Sequence, residues 1–206
     1  MIRVLLAEDQ QLVRAALAAL LALEGDIEVV VQVGRGDEVL AAALDARPDI
    51  ALLDIEMPGI DGISALEQLR TSLPGCRVLI LTTFGRPGFL SRAMRAGATG
   101  FLLKDAPASQ LAGAIRRAMA GQQTVDPALA LAALSEGDNP LTEREQEILV
   151  ASTEVGTIAE IANRLSLSEG TVRNHLSAAI QKLGARNRAE AARLAEDKGW
   201  LRSGPG

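Results

Sequence analysis

Five polar residues carry the chemistry that this sequence offers: Glu8, Asp9, Asp54, Thr82 and Lys104. Each closes a short apolar run. Glu8 and Asp9 follow IRVLLA, Asp54 ends IALLD ahead of the breaker Met57-Pro58-Gly59, Thr82 follows VLIL, and Lys104 follows GFLL. Three carboxylates held close together repel one another unless a hard divalent cation neutralises them, and Mg²⁺ prefers such oxygen ligands while keeping several waters. An ionised aspartate is also a nucleophile toward phosphorus and can form an aspartyl phosphate. Phosphoryl transfer needs positive charge on the oxygens in motion, which a metal and Lys104 would supply together. A hydroxyl at Thr82 would then hydrogen-bond a phosphoryl oxygen. Alone, Asp54 could do no more than open a turn; the whole set argues for a site.

A set like this needs a frame that brings distant segments to one place. Apolar runs of this length, bounded by breakers, fit strands buried on both faces of a parallel sheet. The sequence predicts strands over 2–7, 27–33, 50–54, 78–81 and 100–103. Between them lie helical patterns: a stripe of Leu12, Ala16, Leu20 and Leu23, an Ala-rich stretch over 37–46 stopped by Pro48, and a helix opened by Gly62 and stopped near Pro74–Gly75. A fourth spans about 87–96, and a fifth runs from Pro107, a good first helical position, to Gly121. Strands joined by helical crossovers imply a doubly wound, five-stranded parallel sheet of flavodoxin-like α/β type. Ligands bind outside the carboxyl ends of such strands. All five polar residues fall there, so they should converge.

Composition narrows the function classes. The chain has 206 residues, 48% of them hydrophobic and 23% charged, which suits one large or two small domains with a real core. No uninterrupted apolar stretch spans a bilayer, and the strand at the N-terminus leaves no room for a signal peptide. The single cysteine, Cys76, excludes an intramolecular disulfide and fits a reducing, cytoplasmic setting. Three Phe, one Trp and no Tyr argue against an aromatic platform for single-stranded nucleic acid. The one histidine, His175, forms no metal cluster and no phosphohistidine relay, so any phosphoryl donor must be another protein or a small phosphodonor.

Residues 122–140 read as a linker, with Asp126 and Pro127 starting a short helix and SEGDNP forming turns. Residues 141–206 change to an all-helical pattern. Thr142 with Glu145 makes a capping box. Helices follow over about 157–165, 169–183 and 188–198, Ser168 capping the second of them. Two short helices with a tight connection suggest a helix-turn-helix, whose second helix enters the major groove. Val172, Leu176, Ile180 and Leu183 would face inward, leaving Arg173, Asn174 and Ser177 outward. Arg reads guanine and Asn reads adenine by bidentate bonds. This portion carries as many acids as bases, but Arg164, Arg173, Lys182, Arg186, Arg188 and Arg193 face only Glu169 and Glu190 between 164 and 193.

The motifs AEDQ, LLDIEMPG, LTTF and LLKD over residues 1–121 resemble the receiver domain of bacterial two-component response regulators. The resemblance implies that Asp54 is the phosphoacceptor and that Asp9, Asp54 and the backbone carbonyl of Glu56 hold Mg²⁺, with Glu8 supporting the metal's waters. It implies that Thr82 and Lys104 grip the phosphoryl group. Phe101 lies where that family has an aromatic switch, although a core phenylalanine fits equally. The run LTEREQEIL…IAEIANRLSLSEGTVRNHLSAAIQKLGARNRAEAARLA resembles the four-helix DNA-binding domain of the NarL/LuxR (FixJ-like) class. That makes Arg173, Asn174 and Ser177 base-facing, and Thr171, Lys182 and Arg186 phosphate contacts. Two departures stand out: Ile158 and Ala159 replace polar or basic residues, and Ser177 replaces a frequent Lys.

The whole chain resembles most the regulators of Gram-positive membrane-lipid desaturase systems, through AEDQQ, DIEMPG, LTTF, TVRN and KGW. The expectation is a response regulator transcription factor with no enzymatic activity of its own. A sensor histidine kinase phosphorylates Asp54, and the homodimer formed on phosphorylation binds double-stranded promoter DNA, with RNA polymerase a further partner. Two rival readings are a phosphorylation-independent dimeric DNA-binding regulator and an Asp-nucleophile phosphotransferase. The first should lack one of Asp54, Thr82 or Lys104, and the second needs a substrate cap; the sequence shows neither mark.

Overall fold

A computed structural model of the chain describes residues 1–83, 87–105, 107–127, 129–131 and 139–201. Phe84, the last residue of LTTF, and residues 128 and 132–138 of the 122–140 segment lie outside the described residues. The chain divides into two compact units.

The first is an α/β unit built on strands β1 (Ile2–Ala7), β2 (Ile27–Val33), β3 (Ile50–Asp54), β4 (Arg77–Thr82), β5 (Gly100–Leu103) and β6 (Thr124–Val125). They pair in parallel in the order β2-β1-β3-β4-β5-β6. Helices α1 (Gln11–Ala22), α2 (Val39–Ala46), α3 (Gly62–Ser72), α4 (Pro87–Ala96) and α5 (Ala108–Met119) connect the strands. Every residue of β3 is buried, as an unbroken aliphatic run predicts for a central parallel strand. Val4, Leu6, Ile50, Leu52, Leu79 and Leu81 share one core with Ala114, Ile115 and Ala118 of α5.

The sheet has six strands where the sequence predicts five. The extra one is only two residues long, too short to show any periodicity, and it falls inside the expected linker. Pro107 stands at the N-cap of α5, one position earlier than expected. The α1 stripe also turns out to face solvent: Leu12 and Leu23 are each 83% exposed and Leu20 is 41% exposed, whereas Leu21 faces the core. Apolar residues surround α1, so a leucine stripe could not say which face is inward.

The second unit packs α6 (Glu143–Glu154), α7 (Ile158–Arg164), α8 (Glu169–Leu183) and α9 (Arg188–Asp197) around Ile148, Leu149, Ile161, Val172, Leu176 and Ala191. Side chains start each helix. Thr142 and Thr157 form capping boxes with Glu145 and Glu160, and Ser168 and Asn187 accept bonds from the Thr171 and Glu190 amides. The α7–α8 turn closes at Ser166, whose φ of 55° lies in the left-handed region. There the Leu167 N–H reaches the Ala162 carbonyl (2.8 Å) and the Ser166 N–H reaches Asn163 (3.3 Å), a Schellman closure.

Leu52, fully buried at the centre of β3, tests this core. Leu52→Ala should lose about 2–5 kcal/mol of stability, read as a lower urea midpoint by circular dichroism.

Candidate functional site

The strand ends place Glu8, Asp9, Asp54, Thr82 and Lys104 together. Glu8 and Asp9 follow β1, Asp54 ends β3, Thr82 ends β4 and Lys104 follows β5. One carboxylate oxygen from each of Glu8, Asp9 and Asp54 lies within 4.8 Å of the others. Lys104 Nζ stands 2.6 Å from Glu8 Oε2 and 2.8 Å from Asp54 Oδ2. The Lys104 N–H also donates to the Thr82 carbonyl at 2.9 Å, which fixes the end of β5 against β4. Glu8, Asp54 and Thr82 are buried, whereas Asp9 and Glu56 are exposed. Phe101 is wholly buried on β5, the strand that Lys104 follows.

Close backbone contacts hold the surrounding loop. The Gly62 N–H donates to the Ile55 carbonyl at 3.0 Å, and a Cβ on Gly62 would fall 1.9 Å from the Asp54 carbonyl oxygen. The Gly36 N–H donates to the Pro58 carbonyl at 3.0 Å. Gly59, at φ 85°, has the Asp37 carboxylate where its own Cβ would be. Asp61 went unnoticed in the sequence. It is buried, caps α3 by accepting the Ser64 N–H at 2.6 Å, and pairs with Arg92 of α4 at 3.3 Å. An Asp directly before a helix-opening glycine is a readable cap signal.

The electrostatics follow from burial. Burial pushes the Asp54 carboxyl up to about 6, against the pull of Lys104 and with a further push from Glu8. Burial alone would lower the Lys104 ammonium, but Asp54 and Glu8 hold it above its usual value. The site therefore keeps a firm cation beside an aspartate that is ionised at neutral pH but poorly solvated. Glu8 Oε2 is buried and accepts no properly aligned hydrogen bond, although Lys104 is close enough to form an ion pair with it. Three carboxylates gathered beside one ammonium still carry excess negative charge, which suits a hard cation.

In the helical unit, Arg173, Asn174 and Ser177 are all exposed on one side of α8, opposite the buried Val172, Leu176 and Ala179. Arg173 pairs with Glu169 at 2.8 Å across one turn, with both side chains more than half exposed. The expected phosphate contacts stand differently. Lys182 Nζ lies 2.7 and 2.9 Å from the two oxygens of the buried Glu145 carboxylate, which ties the end of α8 to the start of α6. Arg186 forks onto Glu190, and its side chain is 85% exposed. Thr171 is half-buried, its hydroxyl 2.8 Å from that of Ser168. Glu145 was legible as a capping residue but not as a partner of Lys182, because the two are distant in sequence.

Comparison with known proteins agrees with both units. Residues 4–116 match the response regulator receiver domain, and residues 139–195 match the bacterial regulatory proteins of the luxR family. The chain is 47% identical over 203 residues to the transcriptional regulatory protein YvfU of Bacillus subtilis (strain 168), covering 98% of this chain and all of that one. It is 44% identical over 202 residues to DesR of the same organism, again covering 98% and 100%. The crystal structure of ChrA, a response regulator of a heme-sensing two-component system, superposes with a TM-score of 0.58 at 35% identity, covering 97% of this chain and 98% of that one. The fold and the two family matches define a response regulator receiver domain joined to a luxR-type DNA-binding domain. The chain belongs to the LuxR-family response regulators, a family of transcription factors rather than enzymes.

The raised Asp54 carboxyl gives a pH test. A carboxyl whose folded value lies above its unfolded one binds protons more tightly when folded, so it favours folding at low pH and loses that contribution as pH rises through about 6. Without divalent cations, Asp54→Asn should be more stable than the wild type above pH 7, by on the order of 1–3 kcal/mol, with the difference fading toward pH 4. Urea titrations across that range check it.

Proposed function

We propose that Asp54 accepts the phosphoryl group and that Mg²⁺ sits among Asp9, Asp54 and the Glu56 carbonyl, with Glu8 supporting its waters. The supporting observation is the convergence of three carboxylates with Lys104 at the sheet's carboxyl edge. An Asp54 oxygen attacks phosphorus, the bond from phosphorus to the donor breaks, and the donor leaves with the bonding pair. The product is an acyl phosphate on Asp54. When bound, the metal supplies positive charge that offsets the carboxylates and the incoming phosphoryl oxygens. Lys104 supplies a second positive charge, the Thr82 hydroxyl donates to a phosphoryl oxygen, and Phe101 repacks in response. The donor is a sensor histidine kinase, as is usual in this family.

The phosphorylated chain dimerises and binds promoter DNA from the cytoplasm. The outward leucines of α1 supply apolar surface that a monomer has no use for. Residues 1–121 form the receiver, 122–140 the linker and 141–206 the DNA-binding domain. In that last part Arg173, Asn174 and Ser177 face bases, while Thr171 and Arg186 meet phosphates. Lys182 reaches phosphate only by sharing its ammonium with Glu145. Among solved structures, two RcsB dimers are seen bound to two parallel DNAs; at 21% identity and a TM-score of 0.66 that likeness concerns the fold alone.

Acetyl phosphate with Mg²⁺ should add one phosphoryl group to the wild type, seen by intact mass, and none to Asp54→Ala. Equal labelling of the variant sinks the assignment. EDTA should block the reaction, because charge compensation is lost.

For the DNA-binding face, Arg173→Ala should cost about 1–3 kcal/mol on a selected duplex and relax base preference at one position. Titrations against base-substituted duplexes at several salt concentrations decide the matter. A uniform loss with base preference intact would show that Arg173 touches phosphate instead.

A further inference from the structure

The stretch expected to be free linker does not leave the receiver unit at α5. Gly121, at φ 80°, turns the chain back after α5, and Thr124–Val125 then add β6 to the sheet beside Gly100 and Phe101. Two hydrogen bonds and burial hold this short strand. The Thr124 N–H donates to the Thr99 carbonyl at 3.2 Å, Arg117 of α5 donates from Nε to the Thr124 hydroxyl at 3.2 Å, and Thr124 is buried. The fit against β5 is tight. A Cβ on Gly100 would lie 2.6 Å from the Thr124 carbonyl oxygen and 2.6 Å from Leu79 Cδ2, so only glycine lets β6 come this close.

The strand that β6 leans on is the one that carries the site's cation. Lys104 directly follows β5, and its ammonium is held by Asp54 and Glu8 in the unphosphorylated chain. A phosphoryl group on Asp54 offers Lys104 new oxygens and changes the pull on the end of β5. A contact with no spare room at Gly100 tolerates little displacement of that strand. Two-residue strands belong to the low-stability elements of a fold, the ones that open locally.

We propose that β6 is a releasable anchor for the linker, held by the resting position of β5 and let go when Asp54 is phosphorylated. This inference rests on Asp54 being the phosphoacceptor. Release frees residues 122–125, adding roughly 13 Å of reach at full extension to the tether that leads to the DNA-binding unit. The receiver thereby controls the length of the linker as well as pairing with a second copy.

Hydrogen–deuterium exchange of the full chain tests this, following peptides over residues 122–127 with acetyl phosphate and Mg²⁺ while intact mass tracks labelling. The labelled wild type should exchange this segment about ten-fold faster or more, as expected for a local opening, and Asp54→Ala under the same conditions should not change. Arg117→Met removes the donor to Thr124 from an exposed helical position and should speed exchange without any phosphoryl group. Full labelling with unchanged or slower exchange at 122–127 overturns the proposal, as does wild-type exchange in Arg117→Met. Absence of labelling in the mass spectrum overturns the phosphoacceptor reading itself, and release by phosphorylation falls with it.

Discussion

The receiver unit depends on one charge balance, a lysine ammonium held between two buried carboxylates at the carboxyl edge of the sheet. Glu8 and Asp54 would repel each other if left alone out of water. Lys104, at 2.6 and 2.8 Å, makes their shared burial tolerable. Removing Lys104 would cost about 3–5 kcal/mol, because both buried carboxylates are then left uncompensated. The pairing also links β1, β3 and β5, which contribute one residue each. A change of charge at Asp54 is therefore felt on three strands at once, the physical requirement for a switch rather than a passive acceptor.

The helical unit solves a different problem with similar means. Its core is small and rich in alanine, so little apolar area fixes the helix starts. Side-chain caps do that work instead, at Thr142, Thr157, Ser168 and Asn187. Glu145 serves twice, closing a capping box and accepting Lys182 with both oxygens. That ion pair orients the far end of α8 relative to α6, while the outward positions at its near end remain available to a ligand.

Much of this was readable in advance, for reasons that differ by element. The strand that ends in Asp54 was legible because an aliphatic run bounded by breakers fits a buried parallel strand, and Asp54 itself stood out only alongside Glu8, Asp9, Thr82 and Lys104. Ser168 and Thr142 were legible because capping chemistry is local. The orientation of α1 was not: with alanine and leucine on every side, Leu12 and Leu21 look alike in sequence, and only packing separates them. β6 was hidden because two β-branched residues carry no period, and its glycine partner at position 100 lies on another strand. The Glu145–Lys182 pair was hidden for the same reason, since an interaction across 37 positions leaves no spacing to detect.

Several cations of the helical unit already have internal counterions. Arg164 pairs with Glu154, Arg173 with Glu169, Lys182 with Glu145 and Arg186 with Glu190. When such a cation turns to a phosphate, its carboxylate stays behind and opposes the same strand of DNA. Non-specific binding draws its strength from uncompensated positive charge, so a module paired in this way should hold bulk DNA weakly. The genome then acts as a small sink for the regulator.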